Sequence, residues 1–236
     1  MPIPSIIAID GPVASGKTSV GKRLADKLGY LFFDTGVMYR AVTYLALRQL
    51  GAVGDAAAVA EVAEHSQIDV RTAQVADGRD YTVVAGSQGE DITWAIRSSE
   101  VEAQVSPVSA VPAVRHWLTE QMRRIGRKGR VVMVGRDIGT VVLPEADLKI
   151  FLTASVEVRA QRRYKEIQAR GETRDYESIL ANVRDRDRID SSRLVAPLSA
   201  AEDAITLDTT HLDLPGVVEA IESLIELPRP PRGDKR

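Results

Sequence analysis

Residues 11–18 read GPVASGKT, directly after a short apolar run. A glycine, four residues and then glycine-lysine-threonine predict a loop that binds nucleotide phosphates. Gly11 and Gly16 let the backbone turn so that its N–H groups point inward. Lys17 supplies a cation for the β and γ phosphates, and Thr18 offers a hydroxyl to Mg²⁺.

The loop lies in a strand–loop–helix setting. Residues 6–9, IIAI, form a β-branched run typical of a buried strand. After the loop, Val20, Leu24 and Leu28 recur at helical spacing, and Gly29 ends the helix. The alternative is a glycine-rich turn that merely joins a strand to a helix, and the complete motif in this setting favours phosphate binding.

Length and composition fit one large α/β domain. The chain has 236 residues, of which 44% are hydrophobic, enough to bury a core. No apolar run approaches the ~18 residues that span a bilayer, so a membrane location is not expected. The absence of cysteine excludes disulfides and thiolate metal sites and favours a cytoplasmic location. A net charge of −2 gives no general attraction to nucleic acid.

Strand and helix patterns alternate along most of the chain. Further buried strands are predicted at 30–34, 130–134, 148–152 and 204–208, with helices between them. This alternation predicts a parallel sheet covered on both faces. Residues 68–94 break the pattern with three short β-rich pieces separated by turns, which predicts a small antiparallel insert.

Prolines are predicted to mark the ends of helical segments. A helix from about residue 98 is predicted to stop near Pro107, and another is predicted over 112–125. The proline-rich and charged tail, residues 229–236, is predicted to be disordered.

Polar residues follow the predicted strands where each strand ends. Besides the phosphate loop, these segments are DTGVMYR (34–40), GRDIG (135–139) and the helices after residue 152. Ligands of an open parallel sheet bind beyond the carboxyl ends of its strands, so these segments are expected to form one crevice.

The residues alone leave structural alternatives open. Arg40 could clamp a phosphate, or it could lie on the surface with Tyr39 in the core. Arg136 and Asp137 could face the crevice, or they could form an internal ion pair.

The helices over 155–193 carry ten basic and eight acidic residues. The near balance suits solvated helices, although the arginines could also gather around a polyphosphate. Arg186, Asp190 and Arg193 are spaced i, i+4 and i+7, by default a surface salt-bridge ladder. A nucleic-acid-binding surface is a further alternative, and the interleaved acids argue against it.

Four segments, taken in order, resemble one family: GPVASGKT, DTGVMYR, GRDIGTVV and RDRDRIDSSRLVAPL, with the β-rich insert before residue 100. They resemble the bacterial cytidylate kinases of the P-loop nucleoside monophosphate kinase family. The resemblance implies an α/β P-loop kinase fold: a five-stranded parallel sheet flanked by helices, a small antiparallel β insert and a short helical lid. It implies a single domain with these parts: whole domain 1–228, core about 1–66 and 101–228, insert about 67–100 and lid about 157–177.

The resemblance also implies an activity. The chain is expected to transfer the γ-phosphoryl group of ATP to CMP, and to dCMP, in line, with Mg²⁺ and without a covalent enzyme intermediate. It is expected to be a monomer with no nucleic-acid or membrane partner. A related kinase for UMP, AMP or a non-nucleotide alcohol is the nearest alternative, and the insert and the Arg-x3-Asp-x2-Arg spacing favour cytidylate. A regulatory nucleotide switch is less favoured, since no asparagine-lysine-x-aspartate motif is present.

On the donor side, the resemblance implies roles position by position. The expected ATP-binding residues are Gly11, Pro12, Val13, Ala14, Ser15, Gly16, Lys17, Thr18 and Ser19. The expected catalytic residues are Lys17, Arg136, Arg159 and Arg163, and Arg170 and Arg174 are further lid candidates. Thr18 is expected to bind Mg²⁺ through its hydroxyl, with Asp34 or Asp137 as further candidates. The family usually has an acidic residue where this chain has Val134, which leaves Mg²⁺ to Thr18, the phosphates and either of these two aspartates.

On the acceptor side, the implied CMP-binding residues fall into three groups. Those facing the monophosphate are Thr35, Tyr39, Arg40 and Arg136. Those reading the base are Ser106, Arg115, Asp137 and Arg193. Those holding the pentose are Arg186 and Asp190. The ladder of the last helix thereby becomes an expected wall of the substrate site.

Overall fold

The computed structural model describes residues 3–73, 75–169 and 171–226. The strands are β1 (Ile6–Asp10), β2 (Leu31–Asp34), β3 (Ile68–Thr72), β4 (Tyr81–Ala85), β5 (Glu90–Asp91), β6 (Val131–Gly135), β7 (Leu148–Thr153) and β8 (Ile205–Asp208). The helices are α1 (Lys17–Leu28), α2 (Gly36–Leu50), α3 (Ala56–His65), α4 (Ser99–Ala110), α5 (Pro112–Gly126), α6 (Val156–Ala169), α7 (Tyr176–Ser191) and α8 (Leu214–Glu226). None of the helices in these ranges is both long and apolar enough to cross a bilayer.

The main sheet has five strands in the order β2-β6-β1-β7-β8, and every neighbouring pair is parallel. A second, antiparallel sheet has the order β3-β4-β5. The fold class predicted from the sequence is therefore confirmed. Because the main strands are parallel, the segments that follow β1, β2, β6 and β7 all leave the same edge of the sheet.

Alternation along the central strand divides the core between the two faces of the main sheet. Ile7 and Ile9 of β1 pack in an apolar cluster with α1 and α8, whereas Ala8 packs in a second cluster with α2, α4 and α5. Successive residues of a strand point to opposite faces, and both faces here are covered by helices. This double burial explains why β1 reads as a continuous apolar run.

Helix α4 continues through Pro107 to Ala110, so the predicted stop near Pro107 was wrong. A proline inside a helix removes one backbone hydrogen bond. Val105 and Val108, on either side of it, are buried in the core, and this packing offsets the loss. The helix ends just before Pro112, which disfavours helical backbone in the residue before it and begins α5.

The third piece of the predicted insert is shorter than expected. Strand β5 covers only Glu90–Asp91, and a 3₁₀ turn over Ala95–Arg97 leads into α4. The division into core, insert and lid stays a prediction. The predicted disordered tail lies outside the described residues.

Helices α6 and α7 follow β7 and pack against each other. Their contact is a small apolar cluster separate from the main core; its buried members are Ala160, Ile167, Ile179, Leu180 and Val183. Helix α7 also contacts α4, which brings the arginine-rich pair to the edge of the sheet where the strands end.

The backbone of the phosphate loop lies very close to strand β7 at Gly11. Gly11 has φ +151°, and a Cβ there would lie 2.1 Å from the backbone oxygen of Leu152 in β7. Gly16 also has a positive φ, +93°, but a Cβ there would meet nothing within 4 Å. Both alanine variants carry backbone strain, and only Gly11→Ala adds a clash with a strand. We expect Gly11→Ala to be less stable than Gly16→Ala by about 1–3 kcal/mol.

Urea unfolding of the two variants measures this difference. Equal losses of stability in both would show that the loop can move away from β7, and the close approach would then not constrain the fold.

Candidate functional site

A cavity of about 320 Å³ lies at the carboxyl ends of β1, β2 and β6. The phosphate loop forms one part of its wall, and α2, α4, α5, α6, α7, the start of β4 and the end of β6 also contribute to it. All of the residues predicted to bind the acceptor line it: Thr35, Tyr39, Arg40, Ser106, Arg115, Arg136, Asp137, Arg186, Asp190 and Arg193. The structure therefore brings residues from distant parts of the sequence to a single cavity.

Lys17 is the cation of the phosphate loop. It is the first residue of α1, and its Nζ donates to the backbone oxygen of Pro12 at 2.7 Å and to Ser15 Oγ at 3.3 Å. Burial lowers the pKa of Lys17 well below its usual value, and the nearby Arg136 lowers it further. The backbone N–H groups and the positive dipole end at the start of α1 also attract anions.

Thr18 and Asp34 supply two oxygen atoms beside the phosphate loop. Thr18 Oγ1 donates to Asp34 Oδ2 at 2.8 Å, and Asp34 Oδ1 accepts from the backbone of Gly36 at 2.9 Å. Both side chains line the cavity. Mg²⁺ prefers hard oxygen ligands and is commonly held by one or two protein groups together with phosphates, so this pair fits the metal.

Val134 of β6, where the resemblance led us to expect an acidic residue, is buried. Its side chain is buried in the apolar cluster that packs against α1, and a Cβ at Gly21 would lie 2.5 Å from Val134 Cγ1. Asp34 is the register partner of Val134 in the neighbouring strand β2. The carboxylate beside Thr18 thus comes from β2.

One end of the cavity holds a buried pair of opposite charges. Arg115 is 2% exposed, and its Nη2 donates to Asp137 Oδ2 at 2.5 Å. Its Nη1 donates to the backbone oxygen of Ser109 at 3.1 Å, and its guanidinium carbon lies 5.3 Å from the ring centre of Tyr39. These contacts fix Arg115 and Asp137 side by side with donors and acceptors facing one pocket.

Arg136 and Asp137 each form an ion pair, but with different partners. Arg136 Nε donates to Asp190 Oδ2 at 2.8 Å, and Asp190 also accepts from Arg193. Asp190 is 3% exposed, so the alternative of a surface ladder is wrong. Helix α7 ends at Ser191, before Arg193, so the three ladder residues do not lie on one continuous helix.

The predicted lid arginines differ in position. Arg163 lines the cavity. Arg159 is buried outside the cavity lining, where it donates to both oxygens of Asp187, at 3.0 and 2.6 Å, and to the backbone oxygen of Val13 at 3.1 Å. Arg174 is partly exposed and lies 3.8 Å from Glu172. Arg170 falls outside the described residues.

Sequence reasoning missed Glu102, which contacts three arginines of the cavity wall: Arg40, Arg163 and Arg186. It lies four residues before Ser106 on α4, so the two share one helical face. The predicted role of Ser106 could have located Glu102 by this spacing. Its arginine partners come from three other helices, which no local pattern reveals.

Buried polar atoms without a hydrogen-bond partner concentrate at this cavity within the described part of the chain. Five of them belong to residues that line it: Tyr39 Oη, Arg97 Nε, Arg115 Nε, Arg186 Nε and Arg193 Nε. Buried polar groups are normally paired, so their gathering here fits a polar, anionic ligand.

Comparison with known proteins gives consistent results. The sequence model of the family described as cytidylate kinase matches residues 7–227. A cytidylate kinase from Herpetosiphon aurantiacus is 51% identical over 225 residues, which cover 95% of this chain and 96% of the relative. A cytidylate kinase from Exiguobacterium sp. is 50% identical, and the match covers 93% of this chain and 96% of that protein. A bifunctional pantoate ligase/cytidylate kinase from Synechococcus elongatus is 48% identical, over 92% of this chain and 41% of that protein.

Asp10, the last residue of β1, gives a pH-dependent prediction. Its oxygens accept from the backbone N–H groups of Ile138 and Gly139, both at 2.8 Å. Burial raises the pKa of Asp10 from 3.8 to about 6, although these two hydrogen bonds oppose the rise. Because the folded protein then holds the proton more tightly, the stability that Asp10 contributes is present at low pH and is lost as the pH rises from about 4 to about 6.

Asp10→Asn cannot titrate in this range. We expect the unfolding free energy of the wild type, relative to this variant, to fall by about 1–3 kcal/mol between about pH 4 and pH 7. Urea unfolding at several pH values measures it, with Asp26→Asn on the exposed side of α1 as the control. A difference that grows with pH would show that the two hydrogen bonds outweigh burial.

Proposed function

The chain belongs to the cytidylate kinase family, and we propose that its cavity aligns ATP with CMP, or with dCMP, for direct transfer of the γ-phosphoryl group. One observation carries the assignment of the site: the phosphate loop and the predicted acceptor residues line the same cavity. Family membership supports phosphorylation of CMP by ATP. The alternatives of another acceptor or a regulatory switch are not favoured.

The donor half of the proposed site is the phosphate loop, residues 11–19. Its N–H groups and the start of α1 cradle the phosphates, and Lys17 neutralises charge on the β and γ phosphates. Thr18 and Asp34 would hold Mg²⁺ together with phosphate oxygens, and the bound ion would offset charge on the transferred group.

The resemblance implies that Arg40 and Arg136 face the acceptor monophosphate and that Arg186 holds the pentose. We place Arg186 at the monophosphate as well, because it shares the carboxylate of Glu102 with Arg40. Arg40, Arg136 and Arg186 line the cavity from α2, from the end of β6 and from α7. Arginine binds phosphate through several N–H groups in a fixed plane, so three such side chains can orient the attacking oxygen. Alignment is the main requirement of phosphoryl transfer, because its loose transition state needs little covalent help.

The base would be read by Arg115, Asp137, Ser106 and Arg193. The first two are buried and joined to each other, and they present one donor group and one acceptor group to the pocket. A base with the wrong pattern would leave these groups unpaired at a cost of about 1–3 kcal/mol per group. Such a pocket rejects other bases more strongly than an apolar pocket of the same shape.

In the proposed site, three cations converge on the transferred phosphoryl group: Lys17, Arg136 and Arg163. Lys17 and Arg136 lie close enough for their charges to interact, and Arg163 approaches from the lid. Arg159 acts from outside the cavity by holding Val13 of the phosphate loop. Closure of the predicted lid, about residues 157–177, would exclude water, which would otherwise accept the phosphoryl group. A cytoplasmic location and a monomeric state stay predictions.

The test of this function is ADP release in a coupled assay with CMP, dCMP, UMP and AMP as acceptors. CMP and dCMP are expected to accelerate ATP consumption far more than UMP or AMP. If none of the four does so, the kinase assignment fails, whereas a preference for AMP or UMP would overturn only the assignment of the acceptor.

Lys17→Ala tests the donor half. Removal of the loop cation is expected to lower kcat by at least about 10²–10³-fold, because its charge stabilises the transition state. Circular dichroism and the Tm establish that the variant is folded. The control is Lys27→Ala on the same helix, where an exposed lysine pairs with Glu222. Turnover of Lys17→Ala at the wild-type rate would remove Lys17 from catalysis.

Asp137→Asn tests the reading of the base. It keeps the shape of the side chain but removes the charge that pairs with Arg115, so we expect KM for CMP to rise by about 10–100-fold. Activity with AMP and UMP should change less, which narrows base selectivity. Glu120→Gln, an exposed carboxylate on α5, is the control. Unchanged preference among the acceptors would exclude Asp137 from base recognition.

A further inference from the structure

Glu102 joins four helices through one carboxylate. Glu102 lies on α4. Its Oε1 accepts from Arg186 Nη1 of α7 at 2.6 Å and lies 3.4 Å from Arg163 Nη2 of α6. Its other oxygen, Oε2, accepts a hydrogen bond from Arg40 Nη2 of α2. The Glu102 side chain is 13% exposed and lies in the cavity wall.

The arginines around Glu102 favour the ionised form of its carboxyl group. Burial alone would raise the pKa of Glu102, but Arg40, Arg186 and Arg163 outweigh it and lower the pKa to about 2. Burial lowers the pKa of Arg186 to about 10; Glu102 opposes this, and the charges of Arg136, Arg40 and Arg163 add to it. The arginines repel one another, and an anion among them offsets this repulsion.

The acceptor's phosphate requires the same donors. Arg40 and Arg186 are two of the three arginines in the proposed acceptor half, and each uses a terminal nitrogen on Glu102. A phosphate dianion bound by these side chains would lie within a few ångströms of the carboxylate, where like charges repel strongly. Glu102 and the phosphate therefore compete for one set of N–H groups.

The cluster also holds a donor that Glu102 does not use. Arg186 Nε is buried and has no hydrogen-bond partner among the described residues. A phosphate that takes the place of the Glu102 carboxylate can accept from this donor as well. The glutamate side chain has three rotatable bonds, so its carboxylate can withdraw without movement of α4.

We propose that Glu102 is an internal anion that holds the acceptor arginines and is displaced by the phosphate of the nucleoside monophosphate. By competing with this phosphate, Glu102 weakens the binding of the acceptor and so determines its affinity. The proposal rests on the proposed function of the cavity. Displacement also breaks the contacts of Glu102 with Arg163 of α6 and Arg186 of α7. Glu102 acts through the arginines and is a positioning residue.

Glu102→Gln tests the competition, because it keeps the size of the side chain and removes its charge. We expect the Kd for CMP, measured by calorimetry without ATP, to fall about tenfold, since one charged competitor for hydrogen bonds is removed. The Kd for inorganic phosphate should fall as well. KM for CMP should fall with Kd, while KM for ATP stays unchanged.

Two further variants complete the experiment. Glu102→Asp keeps the charge and should not bind CMP more tightly than the wild type. Glu157→Gln removes an exposed carboxylate of α6 that pairs with Arg184 at 3.5 Å, and it should leave both constants unchanged. If Glu102→Gln does not fold, as judged by circular dichroism and Tm, Glu102→Ala takes its place.

Weaker or unchanged CMP binding in a folded, uncharged variant overturns the proposal, because Glu102 would then only organise the arginines or stabilise the fold. A wild type that does not bind CMP would contradict the proposed function instead. In that case, the affinity for inorganic phosphate still decides whether Glu102 competes with an anion.

Discussion

The hydrogen bonds of Asp10 fix the two halves of the cavity relative to each other. Asp10 ends β1 immediately before the phosphate loop, and its carboxylate binds the backbone of Ile138 and Gly139, the two residues that follow Arg136 and Asp137. The phosphate loop and the segment that carries Arg136 and Asp137 are thus joined across adjacent parallel strands. The proposed in-line transfer would depend on this separation, because a small misplacement of the reacting atoms slows such a reaction strongly.

Charge balance determines how the rest of the cavity is built. Buried guanidinium groups are costly unless they are paired, and here each buried cation near the acceptor has an anion beside it. Arg115 is paired with Asp137, Asp190 pairs with both Arg136 and Arg193, and Glu102 pairs with Arg40, Arg163 and Arg186. These pairs hold the donors in place before a nucleotide binds, and such preorganisation lowers the cost of aligning two substrates.

The sequence predicted the features that depend on local pattern. The apolar strands and the polar residues at their ends located the phosphate loop, Arg40, Arg136 and Asp137, because a parallel sheet places these ends together. Ser106 and Arg115 followed only from the resemblance, since helix positions carry no such rule. The pairing of Glu102 with three other helices is set by tertiary packing. Core packing likewise carried α4 through Pro107, against its local preference.

Helix α6 connects both halves of the cavity through two arginines one turn apart. Arg159 binds Val13 of the phosphate loop, and Arg163, four residues later on the same helical face, reaches Glu102 on the acceptor side. Because a helix moves as a nearly rigid rod, a shift of α6 must alter both contacts together. Helix α6 thus links the backbone of the phosphate loop to the arginine cluster of the acceptor side through contacts on one face.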